Sequence, residues 1–109
     1  AAPPEPIQVA EQVAPERPAA IAAGPCAAAA TRADREICAD PELQRLQRDL
    51  RRAYAEALDA HEDRALLRQR QLAWREARND VSDPGRLARM YEQRIQKLEA
   101  AAAQARSLR

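Results

Sequence analysis

Asp40–Leu58 reads DPELQRLQRDLRRAYAEAL, and this stretch decides the fold. Leu43, Leu46, Leu50, Ala53, Tyr54, Ala57 and Leu58 recur at steps of three and four, with charged and amide side chains between them. That period places the apolar groups on one stripe of a helix and predicts an amphipathic α-helix. Its start is written in three residues. Asp40 can cap, Pro41 fits the first helical position, where no N–H is needed, and Glu42 suits the positive end of the helix dipole.

Toward the C-terminus, Asp59–Asp63 contains neither Gly nor Pro. A short turn there would fold the next segment back as an antiparallel hairpin; the alternative is one unbroken helix. The segment running to about Asp80 places Leu66, Leu67, Arg70, Ala73, Trp74 and Ala77 near one face. Ser82-Asp83-Pro84-Gly85 repeats the cap-plus-proline signal and opens a further helix, whose stripe is Leu87, Met90, Tyr91, Ile95, Leu98 and Ala102. From Ala101 to Arg109 helix propensity stays high but little can be buried, so a fraying tail is expected.

Toward the N-terminus, Thr31–Cys38 predicts a short helix or helical turn. Residues 1–25 hold six of the eight prolines among Ala, Glu and Gln, and Gly24-Pro25 marks a boundary. Such a composition favours extended conformations and buries little, as a linker does. The expected organisation is a linker over 1–25, a helical domain over 26–100 and a helical tail over 101–109. The fold class is all-α: a small bundle of about three helices with an N-terminal helical turn.

A core for such a bundle must come mainly from Ala and Leu, because aromatic residues are 3% of the chain and Phe is absent. Domains this small bury a modest share of their surface and gain from a staple. Cys26 and Cys38 are the two cysteines. Zinc needs about four ligands, and only His61 could join them. No Cys-x-x-Cys spacing poises a redox thiol. The remaining reading is a structural disulfide, conditional on an oxidising compartment.

Net charge is +1, spread as −2 over residues 1–25, −1 over 26–60 and +4 over 61–109. Basic residues in the last part are interleaved with acids, and aromatics are too few to stack bases, which disfavours nucleic-acid binding. No apolar run approaches the roughly 18 residues of a membrane span. No signal peptide opens the sequence, and Ala1 fits either a cleavage site or a boundary further upstream.

Catalytic chemistry finds no foothold. Ser82 and Ser107 are the only serines, and His61 is remote in sequence from both. Gly24 and Gly85 cannot build a phosphate-cradling loop. No cofactor or metal site is expected, and the chain reads as a non-enzyme. Trp74, Tyr54 and Tyr91 are expected in the core. Arg78 and Arg94 lie beside the apolar stripes, where each could cover apolar surface and pair with an acid, or reach a partner.

Taken in order, Cys26, Ile37-Cys38, the Leu43/Leu46/Leu50 helix leading to Tyr54, Gln71-x-x-Trp74-x-x-x-Arg78 and Tyr91-x-x-Arg94-Ile95-x-x-Leu98 resemble the lysozyme-inhibitor LprI-like N-terminal domain family. The resemblance covers Cys26 to about Leu98. Gln47 stands where that family tends to have Asp, and Asn79-Asp80-Val81 stands where relatives often carry another cysteine. The resemblance implies an exported bacterial envelope protein of the periplasm, often lipid-anchored upstream. Its implied partner is a lysozyme-like hydrolase or a rival's secreted toxin, in which case the chain would be an immunity protein.

An inhibitor needs projecting groups on a rigid frame. The best candidates are Asn79, Asp80, Ser82 and Asp83 of the loop before Gly85, with Arg78 and Arg94 as further contact residues. An acidic tip would suit the cationic surroundings of many lysozyme clefts. The competing class is a structural or adaptor module of an envelope complex, and the apolar stripes could equally complete a homodimer.

Overall fold

The computed structural model describes Cys26 and residues 28–108, so the expected linker over 1–25 lies outside the described residues. These form four helices: α1 (Arg32–Ala39), α2 (Pro41–Ala60), α3 (Arg64–Asn79) and α4 (Pro84–Ser107). The all-α bundle is as expected, but the helix count is four among the described residues rather than about three. The difference is α1, where the sequence indicated no more than a short helix or turn. Thr31 supplies its N-cap, accepting from Asp34 N–H at 3.0 Å, and Ala33 and Ile37 are buried.

Asp40 serves two helices. It ends α1 in an extended conformation, as a residue before proline must. Its Oδ1 then accepts from Glu42 N–H at 2.9 Å and Leu43 N–H at 3.4 Å, capping α2. Gln44 Nε2 donates to the Cys38 carbonyl at 2.9 Å, tying the corner from outside the backbone. The disulfide joins Cys26 to Cys38 with Cα atoms 5.3 Å apart, and holds the segment before α1 against its last turn.

α2 and α3 are separate helices. The break is made by polar caps instead of Gly or Pro: His61 Nδ1 accepts from Asp63 N–H at 3.1 Å, and Asp63 Oδ1 accepts from Leu66 N–H at 3.0 Å. Asp83 caps α4 by accepting from Arg86 N–H at 2.7 Å, with Pro84 at the first position. α4 continues unbroken past Ala100 to Ser107, and Ala102 is only 2% exposed.

α2 and α4 make the most extensive backbone approach in the molecule. They run parallel: Arg45 feels the Glu92 carboxylate, Ala53 and Glu56 lie near Ile95 and Glu99, and His61 lies near Gln104 and Leu108. Small side chains permit this closeness, since Ala53, Ala57, Ala60 and Ala102 are buried. α3 runs antiparallel to both and stands further off, because its inward face carries Gln71, Trp74 and Arg78. The expected α3 stripe is therefore turned. Leu67 and Gln71 are buried, whereas Arg70, Ala73 and Ala77 face solvent.

The apolar stripes of the helices close on one another in a single core with Tyr54, Trp74 and Ile95 at its margin. Among the described residues, Leu72 and Leu108 are the large hydrophobics left exposed.

Candidate functional site

The α3–α4 turn is short and anchored at both ends. Asn79 is the last residue of α3, Asp80 the C-cap, and Asp83 the N-cap of α4. Val81 N–H donates to the Arg78 carbonyl at 2.9 Å, and its side chain packs against the core. Asp80, Ser82 and Asp83 are exposed. Two carboxylates and a hydroxyl thus project from a turn fixed by two caps and a partly buried valine.

Arg78 lies beneath this turn and is 5% exposed. Its Nη1 donates to the Tyr91 hydroxyl at 3.0 Å, and its Nη2 donates to Asn79 Oδ1 at 2.7 Å and lies 3.0 Å from Asp34 Oδ1. One guanidinium therefore ties α1, α3 and α4 together. Tyr91 receives it edge-on to Trp74, the two ring centroids being 5.0 Å apart at 87°. Arg78 Nε is buried without an acceptor.

Arg94 belongs to another part of the molecule. Eleven residues along α4 from Asp83, it is roughly 16 Å away at helical rise. Its Nε donates to Gln71 Oε1 at 2.8 Å, and its Nη2 is buried without a partner. Burial, then the nearby Arg70 charge, pushes its pKa below the usual arginine value, while Tyr54 acts in the opposite direction. Of the six residues marked for partner contact, the structure gathers Arg78, Asn79, Asp80, Ser82 and Asp83 at one end and leaves Arg94 mid-helix.

The two motifs on α3 and α4 form one seam: Gln71 meets Arg94, Trp74 meets Tyr91, and Arg78 meets Tyr91. Beside this seam, between α2 and α3, opens a cleft of about 360 Å³. Leu50, Tyr54 and Trp74 line it together with Gln47, Arg51 and Arg75. The sequence alone did not indicate this cleft, because Gln47, Arg51 and Arg75 lie on polar positions that apolar periodicity discards, while Leu50, Tyr54 and Trp74 read as core.

On the outer face of α2, Arg45 pairs with Glu42 and Asp49, and Arg52 with Asp49. The Arg45 hydrogen bond holds the Glu42 carboxyl below its ordinary 4.5. Among the described residues no three His, Cys, Asp or Glu side chains are grouped so as to hold a metal ion, and no helix is long and apolar enough to cross a membrane. No family model, curated protein or solved structure matches the chain.

Proposed function

We propose that this chain is a member of the LprI-like family it resembles, working in the periplasm or outer envelope as a binding protein that blocks a peptidoglycan-cleaving enzyme. The target is a lysozyme-like hydrolase or a rival's secreted toxin. The observation that carries the reading is the acidic α3–α4 turn, with Asp80, Ser82 and Asp83 exposed on a frame pinned by Arg78 and the Asp83 cap. A wedge of this kind binds without paying much ordering entropy, and its charge complements a cationic cleft.

The test is a cell-wall turbidity assay in which the oxidised protein is titrated against several lysozyme types. Asp83 caps α4, so Asp83→Asn is the informative change: it removes the charge and keeps a capping side chain. Asp80→Asn with Asp83→Asn is expected to weaken inhibition at least about tenfold, the scale of a lost charge-assisted contact. Ser82→Ala should add a smaller loss. Unchanged potency removes the turn from the interface, and no inhibition of any lysozyme by folded protein favours the adaptor reading.

A further inference from the structure

We infer that the cleft between α2 and α3 is a binding site for a monocarboxylate with a flat apolar body. This stands apart from the inhibitor reading, since neither needs the other. At about 360 Å³ the cleft is within the range that takes small ligands. Its polar lining is unbalanced. Arg51, Arg75 and Arg78 face a single carboxylate, Asp34, and that one is already taken by Arg78 at 3.0 Å. Arg51 and Arg75 are exposed and have no ion-pair partner among the described residues.

Two guanidiniums on facing helices thus leave a local charge of +2 over a wall of Leu50, Tyr54 and Trp74. Unlike the Arg45 and Arg52 heads on the outer face of α2, these two are not matched by a neighbouring acid. Beneath them Arg78 is nine-tenths buried and committed to Tyr91, Asn79 and Asp34, so Arg51 and Arg75 are the guanidiniums left for a guest. The planar fork of arginine fits a carboxylate, and the half-buried indole offers a face for an apolar body. The apolar wall sets the class of guest, because an aryl carboxylate uses both the guanidiniums and the wall of Leu50, Tyr54 and Trp74, whereas inorganic phosphate uses the charge alone.

Trp74 is the single tryptophan and lies in the cleft, which makes its fluorescence a local probe. Phenylacetate is the probe ligand, with phenylacetamide as its neutral match and inorganic phosphate as a generic anion. Saturable quenching or enhancement by phenylacetate is expected, at least about tenfold weaker for phenylacetamide, and weakened by salt. Arg51→Gln with Arg75→Gln should weaken phenylacetate binding about tenfold or more. Arg64→Gln with Arg106→Gln, exposed charges outside the cleft, should leave it unchanged. Calorimetry covers the case of a silent indole. The inference is overturned by equal binding of the amide, by equal or tighter binding of phosphate, by wild-type affinity in the Arg51/Arg75 variant, or by no saturable binding up to about 10 mM by either method.

Discussion

At the residue scale, Arg78 carries more of the architecture than any other polar side chain. It is buried, binds groups from α1 and α4, and also holds Asn79 at the base of the exposed turn. Truncation leaves the Tyr91 hydroxyl and Asp34 without their partner and opens a void, so Arg78→Ala should lose about 3 kcal/mol in urea unfolding. Tyr91→Phe removes one hydrogen bond and keeps the ring against Trp74, and should cost about 1 kcal/mol. A double-mutant cycle checks the pairing: if the two losses simply add, the bond is not an energetic one. The sequence marked Arg78 and offered it two roles. It could not choose between them, because Asp34 and Tyr91 are brought to it by tertiary folding and no local rule links positions so far apart. Asn79 was marked as a partner residue for its place in a loop, and the structure adds that its side chain accepts from Arg78.

At the element scale, boundaries marked by Asp-Pro were legible, and the one marked by Asp alone was not. Asp40-Pro41 and Asp83-Pro84 announce helix starts because proline suits only the first turn, whereas Asp63 precedes Arg64 and could equally lie inside a helix. The α2–α3 break therefore rests on the Asp63 cap and the His61 acceptor. Asp63→Ala should cost about 1 kcal/mol by chemical denaturation, the usual loss for a cap. Gly85 gives the opposite sign. It sits in the first turn of α4, where an added Cβ would meet Asp83 Oδ2 at 3.5 Å and Arg89 Nη1 at 3.6 Å, ordinary contacts. Gly85→Ala should stabilise by about 0.5 kcal/mol through the helix propensity it adds, and an unchanged or lower urea midpoint would show that the turn needs glycine's freedom. The turned face of α3 was hidden for a different reason: Gln71 and Arg78 are buried through hydrogen bonds, which hydrophobic periodicity does not register.

At the scale of the whole molecule, two kinds of packing meet. α2 and α4 lie close through Ala and Leu, while α3 is held at a distance by Gln71, Trp74 and Arg78, and the cleft is the space this difference leaves. α1 closes one end, packing on α2 and reaching α3 and α4. At eight residues it is too short to be stable alone, so its place depends on Ala33, Ile37, the Asp34–Arg78 pair and the disulfide. Cys26 and Cys38 are twelve residues apart, and closing a loop of that size contributes about 3 kcal/mol in the chain-entropy account. Cys26→Ser with Cys38→Ser should lower stability by about that amount. Because the bridge is anchored on α1 and links no other of the four helices, the loss should be uneven. Amide exchange should quicken first across Arg32–Ala39, while the buried stretch of α2 from Leu43 to Ala57 keeps protection until global unfolding. Loss of protection in α2 and α1 together would show instead that α1 is integral to the core, and that the staple stabilises the bundle as one cooperative unit.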